Sequence, residues 1–433
     1  MSLSTDANAS KAVVLGTGGT MGALTGGLLA QSGMQVWFLS RTLAGAQRGL
    51  LRAQKQARSE VIARQITCGD YDTMFDEACA QADWIIECVA EDYDIKKSIL
   101  DRVDRHRKPE AIVSSMTSSL LLERLADNHS EGFQRHFIST HFYNPPGKMA
   151  ACEICGTARS DPAIVDCIEE LCRVRLRRAV IRVRPTAGFA GNRIAFLLFS
   201  RMTELAEEYG VEMMDYLIGP YTGRAMPPLA TLDLIGLDIH RAIIESLRAN
   251  THDAFHDALV LPRYVEAMIA SGHLGSKSRD RGGFYRRLES GEHMYVNPGS
   301  GQYVKACGPH VQFVEAAKDH IHSGRYREAF RTIMAAKGSE AGIVREILAA
   351  YIAYAYLMSG EVTDASDGIE GIDRVMSRGF NWASPSLVVY MLGGRDRAIE
   401  LLGSQNLPVP ELLRVDPASD RHVFNGGRYF AAK

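Results

Sequence analysis

The chain has 433 residues, 46% of them hydrophobic and 23% charged, which excludes a disordered or collagen-like protein and allows roughly two to four domains. Its 49 Lys and Arg against 51 Asp and Glu give a net charge of −2, which argues against nucleic-acid and membrane-surface partners. No apolar run is expected to reach the roughly 20 residues of a membrane helix, and MSLSTDANASK lacks the apolar stretch of a signal peptide, so the expected location is cytoplasmic. Eight scattered cysteines read as reduced thiols. The one CxxC, Cys152 to Cys155, has no second pair at zinc spacing, so no metal is expected.

After a polar tail at 1–10, the apolar run Ala12-Val13-Val14-Leu15 ends in Gly16-Thr17-Gly18-Gly19-Thr20-Met21-Gly22. A helix follows with Ala23, Leu24, Leu28, Leu29 and Ala30 on one side, then Gly33 and a second strand, Gln35 to Leu39. Strand, glycine-rich turn, helix and strand make a βαβ unit, the setting in which such a turn binds a dinucleotide. Residues without side chains let backbone N–H groups and the helix N-terminus face a pyrophosphate. Gly16, Gly18, Gly19, Met21 and Gly22 are the candidate positions, in a turn spaced G-x-G-x-x-x-G. Where an acidic residue usually meets the adenosine ribose, this chain has Ser40-Arg41, which favours NADP over NAD because a guanidinium suits a 2′-phosphate.

Farther on, Asp83 to Asp92 reads as a buried strand running into a polar loop, with Lys96 and Lys97 opening a helix. The strand Ala111 to Ser115 ends in Met116-Thr117-Ser118-Ser119, where the two serines also fit a helix N-cap. Another strand, Phe137 to Tyr143, turns at Asn144-Pro145-Pro146-Gly147 and returns through Met149 to Ile154. His141 and Glu153 are therefore expected on adjoining strands, close enough to pair.

These blocks together resemble the 3-hydroxyacyl-CoA dehydrogenase family. The resemblance is carried by Gly16 to Gly22, Ile86-Glu87 to Lys97, Thr117-Ser118-Ser119, His141-Phe142-Tyr143-Asn144-Pro145 and Gly188-Phe189-Ala190-Gly191-Asn192-Arg193. It implies His141 as the general base and Glu153 as its orienting partner, the arrangement an alcohol oxidation requires. It implies Ser118 on the substrate oxygen, Asn192 near that oxygen, and Glu91 and Lys96 near the nicotinamide ribose. Asn192 is also a candidate cap for a helix from Ile194 to Leu205. The family commonly places Asn before Thr-Ser-Ser; Met116 supplies no hydrogen-bond donor there.

From Ser160 to Arg177 a helical pattern leads to the strand Ala179 to Val183, and from Arg184 onward long helices are expected. The polar stretch from Arg286 to Gln302 marks a boundary. Beyond it, Glu361 to Trp382 echoes Met213 to Pro228, and Leu407 to Phe430 echoes Leu261 to Tyr285, as in longer bacterial family members with a duplicated helical domain. The expected class is α/β, a Rossmann-like doubly wound sheet followed by two all-α domains. The expected boundaries are a tail at 1–10, a nucleotide-binding domain at 11–185, helical copies at 186–290 and 311–433, and a linker at 291–310.

A covalent second copy can supply an apolar face that shorter members obtain from a partner, so a monomer or a homodimer is expected. The expected reaction interconverts a (S)-3-hydroxyacyl-CoA and its 3-oxo form with NAD or NADP. The alternatives are an NADPH-dependent reductase of a specialised 3-oxoacyl thioester or 3-hydroxy acid, and a non-catalytic nucleotide-binding homologue.

Overall fold

Short apolar runs alternating with helices build the N-terminal half of the chain. In order these are β1 (Lys11–Leu15), α1 (Thr20–Gln31), β2 (Gln35–Ser40), α2 (Leu43–Ala57), β3 (Ile66–Asp70), α3 (Phe75–Gln81), β4 (Trp84–Glu87) and α4 (Tyr93–His106). Then come β5 (Ile112–Ser115), α5 (Leu122–Ala126), α6 (Glu131–His136), β6 (Phe137–Phe142), β7 (Ala151–Gly156), α7 (Pro162–Glu170) and β8 (Ala179–Arg182). The strands form one sheet in the order β3-β2-β1-β4-β5-β6-β7-β8. All neighbours run parallel except β6 and β7, which are antiparallel because a short loop joins them. Strand order reverses between β1 and β4, and open α/β sheets bind their ligands beyond the carboxyl ends of the strands at such a point.

This computed structural model describes residues 10–278 and 280–415. The chain divides into two compact units, one running through Phe189 and including Arg378–Phe380, the other holding the remaining residues. The expected tail at 1–10 lies outside the described residues except for Ser10, and so does the 416–433 part of the C-terminal echo.

Helix α1 departs from the one-sided pattern expected of it, since every residue from Gly22 to Ala30 is buried. Glycines make that packing feasible. A Cβ on Gly26 would stand 2.3 Å from the Phe38 ring, and one on Gly27 would stand 2.8 Å from Ala53 Cβ. Helix α4 begins at Tyr93, capped by the Asp92 side chain on the Ile95 N–H, so Lys96 lies within its first turn rather than opening it.

The second unit contains α8 (Gly191–Tyr209), α9 (Val211–Leu217), α10 (Pro228–Ile235), α11 (Leu237–Asn250) and α12 (Arg263–Ala270). Next are β9 (Tyr285–Arg287), β10 (His293–Val296) and β11 (Tyr303–Lys305), followed by α13 (Gln312–His322), α14 (Tyr326–Ala335) and α15 (Ser339–Met358). The last helices are α16 (Glu370–Gly379, whose Arg378 and Gly379 count with the first unit), α17 (Pro385–Leu392), α18 (Arg395–Ser404) and α19 (Glu411–Val415).

Two expectations need correction here. The stretch read as a polar boundary and linker forms a three-stranded antiparallel sheet, so this unit is not purely helical. Asp233 of α10 accepts the Phe284 and Tyr285 N–H groups at 2.7 and 2.8 Å, which anchors the first strand. Second, α15 is an apolar helix of 20 residues, long enough by length and composition to cross a membrane. Of its most apolar window 72% is buried inside the protein, where it packs against α8, α17 and α18. Such a helix is apolar on all sides because neighbours surround it.

Candidate active site

The glycine turn sits at the carboxyl end of β1. Its Gly16 and Thr17 N–H groups both bond Leu39 O, at 2.9 and 3.0 Å, and Gly19 N–H bonds Gly16 O at 3.0 Å. A Cβ on Gly16 would lie 2.3 Å from Cys88 O, and one on Gly22 2.7 Å from Gly16 O, so neither position accommodates a side chain. Helix α1 starts at Thr20 with no side-chain cap. Its first-turn N–H groups at Thr20, Met21 and Gly22 thus have no acceptor inside the helix. A cradle of this kind fits a pyrophosphate.

At the neighbouring strand end, Ser40 is nearly buried while Arg41 is exposed. From Ser40 through Ser59 the sequence has no acidic residue but carries Arg41, Arg48, Arg52, Lys55 and Arg58. Arg52 lies against the turn itself, donating to Gly18 O at 2.7 Å.

Moving across the sheet, Leu15 is in register with Glu87, Glu87 with Ser115, and Ser115 with Ser139. Behind this row lies a charge cluster that sequence reasoning missed in part. Glu87, 0% exposed, accepts from Lys96 Nζ at 2.7 and 2.9 Å, from Ser115 Oγ at 2.6 Å and from the Val89 N–H at 2.7 Å. Lys96 also stands 3.3 Å from Glu91. Glu91 Oε1 in turn accepts from the Thr117 hydroxyl and the Ser118 N–H at 2.7 Å each and from the Ser119 N–H at 2.8 Å.

Burial opposes the charges of Lys96 and Glu91, but the pairing outweighs it. Lys96 is pushed up to about 12 by the two glutamates. Glu91 is brought down to about 2 by Lys96 and the loop donors. The N-cap expectation for Ser118 and Ser119 is corrected accordingly. Helix α5 starts only at Leu122 with no side-chain cap, and the Glu91 carboxylate takes both serine N–H groups. Met116 is packed in the apolar core of the sheet, so it presents no polar atom in this row.

His141 and Glu153 are direct partners across the antiparallel β6–β7 pair. Directly opposed residues project from the same face, so the pairing follows from the register. His141 Nδ1 lies 2.8 Å from Glu153 Oε2; the imidazole is nearly buried and the carboxylate wholly so. In a neutral imidazole so placed, the nitrogen facing the carboxylate carries the proton and Nε2 has the lone pair. Tyr143, two residues from His141, donates its hydroxyl to the same Glu153 oxygen at 2.7 Å. The sequence contained that signal, since an i, i+2 spacing on a strand shares a face.

Asn192 belongs to the other unit. It is buried in the first turn of α8, which begins at Gly191 after Ala190, so the capping role considered for it is not the one it occupies. The CxxC residues Cys152 and Cys155 are free buried thiols in β7.

Comparison with known proteins bears on the same residues. The family model described as the 3-hydroxyacyl-CoA dehydrogenase NAD binding domain matches residues 11–186, and that for the C-terminal domain matches 188–287. A "Probable 3-hydroxyacyl-CoA dehydrogenase" of Deinococcus radiodurans is 31% identical over 293 residues, covering 64% of this chain and 83% of that protein. The chain belongs to the 3-hydroxyacyl-CoA dehydrogenase family. A longer family member from Bacillus subtilis, also named "Probable 3-hydroxyacyl-CoA dehydrogenase", is 28% identical over 405 residues; they cover 86% of this chain but only 49% of that protein. The chain therefore spans about half the length of that relative. Among solved structures, 3-hydroxybutyryl-CoA dehydrogenase from Escherichia coli K12 shares the fold with a TM-score of 0.67 at 19% identity, over 94% of this chain and 98% of that one. The (S)-3-hydroxybutyryl-CoA dehydrogenase of Ralstonia eutropha is 26% identical with a TM-score of 0.56, over 64% of this chain and 98% of that one. The family has a nicotinamide-binding domain, which the cradle at Gly16 to Gly22 fits.

Proposed function

We propose that this family member interconverts a (S)-3-hydroxyacyl-CoA and its 3-oxoacyl-CoA. The observation that carries the reading is His141, held by Glu153 with Nε2 open, on the sheet whose switch-point end carries the glycine cradle. His141 Nε2 takes the hydroxyl proton as the carbinol carbon becomes a carbonyl, and Glu153 stabilises the imidazolium that forms. When bound, the nicotinamide ring supplies the hydride acceptor. Ser118, on a loop pinned by Glu91, holds the substrate oxygen. Gly16, Gly18, Gly19, Met21 and Gly22 take the pyrophosphate, and Glu91 and Lys96 line the nicotinamide ribose.

NADP is the preferred cofactor in this reading, with Ser40 and Arg41 receiving the 2′-phosphate. The acid-free, cation-rich stretch from Ser40 to Ser59 supports it. The protein acts in the cytoplasm on a small thioester, as a monomer or homodimer, without a nucleic-acid or membrane partner. The test is reduction of acetoacetyl-CoA with NADH and NADPH in parallel, for the native chain and His141→Gln. The variant should lose about 10²- to 10⁴-fold in turnover with cofactor affinity retained. Undiminished turnover would remove His141 from the mechanism, and NADH binding about tenfold tighter than NADPH would reverse the cofactor assignment.

A further inference from the structure

Two donors converge on one oxygen of a fully buried carboxylate. Glu153 Oε2 receives His141 Nδ1 at 2.8 Å and the Tyr143 hydroxyl at 2.7 Å. The two rings also meet edge to face, with centroids 4.9 Å apart. We infer that Tyr143 is a positioning residue that sets the basicity of His141, by sharing the carboxylate oxygen that holds the imidazole.

Sharing has a definite sign. Each hydrogen bond donated to a carboxylate oxygen draws off negative charge, so two donors on the same oxygen weaken one another. The Tyr143 hydroxyl thereby reduces what Glu153 gives to the imidazolium, and His141 stays neutral and proton-accepting to lower pH. The hydroxyl is a dependable donor, because burial and the adjacent Glu153 charge push its ionisation well above the ordinary tyrosine range. It also fixes the carboxylate rotamer, since His141 and Tyr143 reach Glu153 from successive positions on one face of the strand.

The other titratable groups near this cluster do not replace it. On β7, Cys152 and Cys155 flank the site as thiols that burial keeps protonated. Glu123 of α5 acts on Cys155, and Arg178 acts on Cys152 while donating to Pro146 O and Met149 O.

This role rests on the dehydrogenase reading, so the experiment carries a readout that does not depend on turnover. In cofactor-free protein with labelled histidine, the His141 imidazole signal, assigned through His141→Gln, is titrated by NMR in the native chain, Tyr143→Phe, Glu153→Gln and the double variant. Tyr143→Phe should move the midpoint up by about half a pH unit or more, and Glu153→Gln should move it down. In the Glu153→Gln background, Tyr143→Phe should have no further effect, because its route to His141 is gone. With acetoacetyl-CoA, whose reduction takes its proton from the His141 imidazolium, the alkaline limb of the kcat/KM profile of Tyr143→Phe should move up by the same amount while NADPH affinity stays the same. A midpoint that is unmoved, or moves equally in both backgrounds, overturns the role of Tyr143 and leaves it a packing residue. A native chain that turns over no thioester, yet shows the Tyr143 shift, overturns the dehydrogenase reading alone.

Discussion

Lys96 in the nucleotide-binding unit and Arg224 in the helical unit are both shut away from water, each 1% exposed, yet their surroundings differ. Lys96 is clasped by Glu87 and Glu91, and its charge is reinforced. Arg224 has no carboxylate partner among the described residues. Its Nη1 donates to the Thr222 hydroxyl at 3.1 Å, its Nε and Nη2 bond nothing, and its guanidinium lies 4.7 Å from the Trp382 ring centre and 5.6 Å from that of Tyr351. Burial accordingly lowers it to about 10. The first cation organises acceptors that pin the loop carrying Ser118 and Ser119. The second packs between segments of the helical unit, where Arg224 and Trp382 form an isolated antiparallel bridge. Burial alone does not mark a working charge; what the charge holds in place does.

Replacing each cation by Met separates the two cases. Lys96→Met leaves Glu87 and Glu91 buried without a counter-charge, and removing one partner of a buried pair costs about 3–5 kcal/mol. It should also free the Ser118 loop and weaken thioester binding. Arg224→Met removes a desolvated charge together with a cation–π contact worth about 2 kcal/mol, so the net change should lie within about 1 kcal/mol of zero. Denaturant unfolding of both variants decides the matter. Equal losses would mean that Arg224 is satisfied in a way its geometry does not reveal, and the contrast would collapse.

What the sequence disclosed follows the same division. The glycine turn, the strand pattern and the His141–Glu153 pairing are local or nearly so, set by period-two alternation and one short return. The hold of Glu87 on Lys96 was hidden, because a lysine in the first turn of a helix reads as solvated. The grip of Glu91 on Ser118 spans 27 residues, and nothing in a short window distinguishes that serine from a helix cap. The small sheet β9–β11 was obscured by its glycines, proline and charges, which read as a linker. Its first strand is anchored by Asp233, 51 residues before Phe284. Helix α1 gave the appearance of one apolar face because the approach of Phe38 and Ala53 to its glycines is a tertiary event.

A last effect comes from pH, and it has opposite signs in the two units. Glu91 has its ionisation lowered to about 2, against an ordinary 4.5. Its stabilisation is complete above about 4.5 and is lost as pH falls towards 2. In the helical unit, Asp233 is buried with two backbone N–H donors and, among the described residues, no cation, and burial raises it to about 7; Asp215 is raised to about 6 in the same way, despite the Tyr285 hydroxyl. Between pH 3.8, the ordinary value for both, and these raised values, the unfolded chain gives up protons that the folded unit retains. Stability of the helical unit therefore falls as pH rises through that window and levels off beyond it. Amide exchange, corrected for its intrinsic pH dependence, reads both regions in one sample. Protection at Phe284 and Tyr285 should decline from pH 4 to 7 while protection at Ser118 and Ser119 holds. Asp233→Asn should flatten the decline without touching the serines. A decline that persists in Asp233→Asn would assign the titration to Asp215 alone, whereas parallel behaviour of the two regions would show that the units do not manage buried charge differently.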